Sequence, residues 1–277
     1  MKRKDPLSLL LNLLVRGAAL LTIAVILFLI GYILIKGLPY LTPSLFAWEY
    51  NSENVSCVPA FINTIIMTAL SLLLAGPIGI FSAVYLTEYA RRGNRLVKLI
   101  RIAAEVLSGI PSIVYGLFGF IFFVVALNWR LSLLSGTCTL SIMILPLIMR
   151  TTEEALISVP DSYREGSFGL GAGRLRTVMS IVLPAATPGI LAGIVLAVGR
   201  VVGETAALIF TAGTLAKIPG SILDSTRTLS VHMYNLSSEG LYINQTYATA
   251  VVLLVLVIVI NAFSGWLAKR MSGGYHG

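Results

Sequence analysis

Charge is scarce in this chain of 277 residues. Only 12% of it is Asp, Glu, Lys or Arg, about half the ~25% of soluble domains. A disordered chain would be polar, so that class is excluded. Uncharged runs recur along the whole length, which argues against a soluble globular enzyme. Cysteine and histidine are nearly missing, with two of each. Two cysteines cannot build a disulfide scaffold, and no Cys/His cluster has zinc spacing, so no metal site is expected. No Gly-x-x-x-x-Gly-Lys-Ser/Thr loop is present, so ATP hydrolysis by this chain is not expected. His-Glu-x-x-His and Gly-x-Ser-x-Gly are also missing, which argues against an anchored hydrolase.

Apolar residues are abundant, at 57%. A bilayer core of ~30 Å needs about 20 apolar residues in a helix. The charge-free runs are Gly17–Ile35, Val55–Thr87, Val106–Trp129, Leu131–Met149, Thr177–Gly199 and Leu241–Ala268. They predict an all-α integral membrane protein with six transmembrane helices. The second run is too long for one straight span, and Pro59 and Pro77 sit inside it. The fifth continues past Arg200 and Glu204 to about Ala216. The first run follows Lys2, Arg3 and Lys4, but it is long for a signal sequence and has no small-x-small cleavage site. It reads as an uncleaved anchor.

Lysine and arginine set the orientation. With the N-terminus inside, fifteen of the twenty fall on the cytoplasmic side. Lys36, Arg130, Lys217 and Arg227 fall outside, and Arg200 lies within a span. The predicted organisation is a cytoplasmic segment 1–16, a six-span domain 17–270 and a cytoplasmic tail 271–277. This topology accounts for the net charge of +8 without nucleic acid. Cys57 and Cys138 both fall near the outer side, which leaves open a disulfide or two unpaired thiols. His232 reads as an exposed loop residue, and His276 as tail.

The inner loop, about 150–183, carries an organised segment. Pro160 and Asp161 are helix-start signals, and Ser162 and Glu165 have capping-box spacing. Gly169, Gly171 and Gly173 stop the helix by allowing a left-handed reversal. A two-turn helix is predicted. Gly166 and Ser167 are small enough to let a partner backbone approach. On local physics alone the segment could equally be an ordinary connecting loop.

Glu165-Gly-Ser, three residues, Gly171, nine residues, then Ile181-Val-Leu183-Pro184 resembles the EAA loop of ABC importer permeases. Gly166 and Ser167 stand where that family has two alanines. Pro77-Ile-Gly-Ile-Phe-Ser-Ala-Val-Tyr-Leu-Thr-Glu-Tyr-Ala90, Ser108-Gly-Ile-Pro-Ser-Ile-Val-Tyr-Gly-Leu-Phe118, Arg150-Thr-Thr-Glu-Glu154 and Gly199-Arg-Val-Val-Gly-Glu-Thr-Ala206 resemble the phosphate-specific (Pst) importer permeases. Arg150-Thr-Thr-Glu-Glu154 and the short N-terminal region favour the A-type subunit over the C-type. The resemblance implies a type I ABC importer permease fold in a bacterial or archaeal inner membrane. It implies that Ser162, Glu165, Gly166, Ser167 and Gly171 belong to a coupling helix seated in an ATPase groove. It also implies the partners: a second, paralogous permease, two ATP-binding subunits carrying the ATP and Mg, and an extracytoplasmic phosphate-binding protein.

Within the fifth span, Arg200 and Glu204 are four residues apart, which on a continuous helix puts them on one face. An intramembrane arginine costs roughly 2.5–3.5 kcal/mol on insertion scales and should face protein or a water-filled path. Its planar fork suits phosphate oxygens. Glu204 is expected to hold Arg200 and then compete with the anion; Thr205 follows. A helix–helix salt bridge without a transport role is the plain structural reading. The resemblance places this arginine on the translocation path. Pro111 and Ser112 should bend or break the third span near its middle, as a gate or a packing kink. Glu105 should pair with Arg101, and Glu153 and Glu154 should fix the inner loop through Arg150. A gradient-driven anion carrier is the alternative from another class, but no inverted repeat is evident. A permease for molybdate or sulfate is the alternative within the same class.

Overall fold

Runs of Leu, Ile, Val and Ala form helices here because hydrocarbon offers the backbone no other partners. The computed structural model describes residues 6–91 and 93–272. The expectations for Lys2, Arg3, Lys4, Arg92, His276 and the tail 273–277 fall outside the described residues. No strand occurs among the described residues.

Helix α1 spans Pro6–Gly37, so it starts well before the predicted span. Helix α2, Val58–Val84, ends in a wider turn over Tyr85–Tyr89. Pro59 stands in its first turn, where its missing N–H costs no bond. Helix α3 covers Arg95–Ser108 and α4 covers Ser112–Gly119, continued to Ala126. Helix α5 is Leu133–Ile157. It runs past the predicted Met149 and carries Glu153 and Glu154. Helix α6 is Asp161–Gly169, α7 is Arg174–Thr177 and α8 is Leu183–Val202. Helices α7 and α8 join into one span, Arg174–Val202. Helix α9 is Ala206–Thr211, α10 is Leu229–Glu239 and α11 is Ile243–Ser272.

Five of these spans are long and apolar enough to cross a membrane, and a sixth exists only if α3 and α4 count together. That pair is bent by 104°. The predicted third span, Val106–Trp129, is extended at its start: the pair runs from Arg95 to Ala126, and the expected break falls near its middle, at Gly109–Pro111, because Pro111 cannot continue a helix. The apolar piece beyond it is only Ser112–Ala126.

Helices α2, α5 and α8 form the centre. Met67, Leu140, Met143, Ile144, Ala197 and Val201 are buried between them. A second cluster at the α6 end joins Val84, Leu86, Leu156, Val178 and Val182. The apolar window of α5 is 61% buried, whereas none of that of α1 is. Helix α1 is therefore peripheral and touches the rest mainly through α11.

The end opposite α6 is closed by the segment between α9 and α11. The Asn63 side-chain amide donates to the carbonyls of Lys217 (2.9 Å) and Arg227 (3.2 Å). The Leu229 N–H donates to Thr64 Oγ1 at 2.8 Å. These bonds fasten the segment to the first turns of α2. Cys57 and Cys138 are both free thiols. His232 is not exposed, as its sequence context suggested. It is fully buried on α10, edge-on to Tyr50. Loop-like polarity around it misled the reading, because α10 packs inward.

Burial, and then the neighbouring Arg227 charge, push the His232 imidazole down to about 3 from 6.5. The unfolded chain takes up a proton below pH 6.5 that the folded chain refuses. Stability from this residue is therefore present above 6.5 and is lost as pH falls toward 3. His232→Phe should flatten the acid limb of the thermal midpoint measured between pH 6.5 and 4.

Candidate translocation path and coupling helix

Helix α8 stops at Val202, and Gly203 is its C-cap. The Gly203 N–H bonds the Gly199 carbonyl, and the Glu204 N–H bonds the Val201 carbonyl. The chain then restarts as α9 with Thr205 as N-cap. Arg200 and Glu204 thus do not share a helix face, because the helix ends between them. The expected Arg200–Glu204 pairing is corrected accordingly. No ion pair joins them within 4.0 Å.

Glu204 is buried and its Oε1 accepts the Ala207 N–H at 3.0 Å. A carboxylate in the first turn of a helix offsets the positive end of the dipole. The Glu204 carbonyl accepts from Ser230 Oγ at 2.6 Å, which ties the break to α10. Thr205 is half-buried, and its hydroxyl is 3.4 Å from the Gly203 carbonyl. Arg200 is half-buried in the last turn of α8. Carbonyls at a helix C-terminus favour a cation. Its guanidinium makes no ion pair among the described residues.

The break at Pro111 and Ser112 meets this one. Tyr115 is buried, and its hydroxyl donates to the Leu107 carbonyl at 2.7 Å, across the bend. Ser108 Oγ donates to the Glu105 carbonyl at 2.8 Å. The Glu105 and Leu107 carbonyls beside the bend are thus taken up locally. Gly116 lets α4 lie directly on α9. A Cβ there would come within 2.8 Å of Ala207 Cα. Two interrupted helices are therefore packed back to back.

At the other end, α6 begins with Pro160 as N-cap and no side-chain capping bond. The expected capping box is corrected, since Ser162 and Glu165 already lie inside the helix, exposed. Helix α6 ends in a Schellman turn. The Ala172 N–H reaches the Ser167 carbonyl, and the Gly171 N–H reaches that of Phe168. Gly171 has φ +83°, which suits glycine. Ser167 is buried and bonds Thr177 Oγ1 at 2.8 Å, so it turns inward. Gly166 has open space above it. A groove of about 450 Å³ runs beside it, lined by Ser162, Tyr163, Leu170, Gly171 and Ile181. Leu170 is 91% exposed.

The residues that hold α6 in place escaped sequence reasoning. Arg164 pairs with Glu88 at 2.7 Å and donates to the carbonyls of Leu156 (2.9 Å) and Val159 (2.8 Å). Glu88 is buried in the wider turn that ends α2. An acid at the end of an apolar run was the only signal for it. Arg101 pairs with Glu153 rather than with Glu105. The bend after α3 turns that face of the helix toward α5. Glu154 meets Arg150 at 3.3 Å, as the spacing suggested.

Breaking a buried pair leaves one charge unmatched and costs about 3–5 kcal/mol. Arg164→Met should therefore make α6 accessible to protease and lower the thermal midpoint. Exchanging the charges, Glu88→Arg with Arg164→Glu, should recover part of the loss.

Known proteins match this arrangement. Residues 75–273 match the family model described as "binding-protein-dependent transport system inner membrane component". A Bacillus subtilis (strain 168) protein named "probable ABC transporter permease protein YqgI" is 33% identical over 272 residues, covering 90% of each chain. The "phosphate transport system permease protein PstA" of Haemophilus influenzae is 30% identical over 261 residues, covering 91% of this chain and 92% of that one. A chain of the bacterial alginate ABC transporter, solved with a pentasaccharide-bound periplasmic protein, superposes with a TM-score of 0.66 at 17% identity. It covers 97% of this chain and 98% of that chain, and shows the fold. The chain belongs to the family of multi-pass inner-membrane components of binding-protein-dependent transport systems.

Proposed function

We propose that this chain is an A-type permease subunit of an ATP-driven importer of inorganic phosphate. The observation that carries the reading is Arg200. It is a half-buried arginine with no ion-pair partner among the described residues, beside a helix break. A planar guanidinium in a low-dielectric path is suited to a tetrahedral oxyanion. Relatives named as phosphate transport system permeases support the choice of anion.

In this reading the chain binds no cofactor of its own. ATP and Mg are handled by two ATP-binding subunits. A second permease completes the path, and an extracytoplasmic phosphate-binding protein delivers the ion. Both termini and α6 face the cytoplasm. Helix α6 seats in an ATPase groove through Glu165, Gly166 and its exposed neighbours Tyr163 and Leu170. ATP binding draws the two coupling helices together and opens the path outward. Phosphate pauses at Arg200 and is released inward after hydrolysis. Glu204 does not compete with the anion. It holds the restart of the chain so that Arg200 stays unpaired. Pro111 and Ser112 set the bend that the Tyr115 hydroxyl spans to reach the Leu107 carbonyl.

Arg200→Ala should cut ATP- and binding-protein-dependent uptake of labelled phosphate into vesicles by about tenfold or more, matching a lost charged hydrogen bond of roughly 1.5–3 kcal/mol. The complex should still assemble. Normal uptake by this variant would remove Arg200 from the path, and uptake driven by an ion gradient without ATP would make the protein a carrier.

A further inference from the structure

Helix α3 has three faces. Val97 is buried, and Ile100, Ala104 and Leu107 pack partly against the protein. Leu96, Leu99, Ile102 and Val106 are exposed on a second side. Lys98, Arg101 and Glu105 lie on a third. The 104° bend to the following helix lays α3 across the direction of that piece rather than along it. A helix with an apolar exposed side and a basic side lies in a membrane interface, with the basic side at the headgroups.

Beside α3 is a cleft of about 470 Å³. Thr87, Arg91, Asn94, Lys98 and Arg101 line it, with Ile157 at its apolar edge. No acidic residue lines it. Of the acids around it, Glu88 is engaged by Arg164 and Glu153 by Arg101, and Glu105 stands one turn beyond Arg101 on the same side of α3. Arg91, Arg95 and Lys98 make no ion pair among the described residues. Cleft and α6 share one end of the molecule, because Glu88 and Glu153 tie both regions together.

We propose that this cleft is a binding site for the phosphodiester headgroup of an anionic phospholipid in the inner leaflet. Arg91 and Lys98 supply the charge, and Arg101 adds to it while held by Glu153. The acyl chains lie along Leu96, Leu99, Ile102 and Val106. That apolar stripe beside the basic cleft selects a lipid over free phosphate, which would gain nothing from it. The leaflet rests on the proposed cytoplasmic position of α6; the site itself does not depend on transport.

The test uses the full chain purified in detergent with its co-purifying subunits, incubated with equal amounts of phosphatidylglycerol and phosphatidylcholine. Native mass spectrometry reads the lipid retained. Phosphatidylglycerol should be retained preferentially. Arg91→Gln with Lys98→Gln should reduce that preference by about tenfold or more, since each basic residue near an anionic surface contributes several-fold. Arg91→Lys with Lys98→Arg should keep it, which separates loss of charge from misfolding. Equal retention of both lipids, or a preference unchanged by neutralisation, would overturn the proposal. Displacement of phosphatidylglycerol by millimolar inorganic phosphate, itself retained, would make this a free-phosphate site instead. None of these readouts involves uptake, so they stand or fall apart from the assignment of Arg200.

Discussion

Hydrocarbon leaves no backbone N–H or C=O without a partner, and a helix can be interrupted inside it only where protein supplies the missing bonds. The two breaks in this chain meet that condition in different ways. At Gly109–Pro111 the Tyr115 hydroxyl takes the Leu107 carbonyl. At Gly203–Thr205 the Glu204 carboxylate takes the Ala207 N–H, and Ser230 takes the Glu204 carbonyl. Gly116 then allows α4 and α9 to approach at backbone distance. Ser108, Tyr115, Glu204 and Ser230 each have a structural task at the breaks, whereas Arg200 makes no ion pair among the described residues. The interruption is thereby stable, and the arginine at its edge is left available.

The opposite end is organised by a different interaction. Arg164 joins three elements at once: the end of α2 through Glu88, the end of α5 through the Leu156 carbonyl, and α6, on which it sits. A buried ion pair is weak evidence for stability, since its desolvation offsets much of the Coulomb gain. Its value here is positional. In the proposed complex, force applied to α6 by a partner would reach α2 and α5 through this directional set of bonds. Those two helices bury Met67, Leu140 and Met143 between them. The centre of the molecule is thereby tied to α6.

Composition and charge-free runs were enough to read the helical membrane fold. Apolar runs report directly on the solvent the helix must face. The ends of helices were less legible. Nothing in Gly199-Arg-Val-Val-Gly-Glu-Thr says that the helix stops before Glu204. The stop depends on Ser230 and on the seat that α4 offers α9, both remote in sequence. Arg101 had an acid at i+4, and local spacing favoured Glu105. The bend after α3 instead brought Glu153 to it. His232 looked solvated because its neighbours are polar, yet α10 turns it inward. Gly171 was readable because a left-handed turn has a strong chemical preference. Glu88 with Arg164, 76 residues apart, was not.

An arginine without a counter-ion acts on more than its substrate. In a narrow, low-dielectric passage its field repels every cation, hydronium and sodium included. Bacterial membranes store energy as a potential, worth about 2.3 kcal/mol per elementary charge for each 100 mV. A conduit that opens to either side in turn is a standing risk to that store. On the path proposed above, diverting Glu204 into a helix cap would keep the Arg200 field unneutralised, so the feature proposed to attract an anion would also insulate the membrane against the ions it cannot afford to lose.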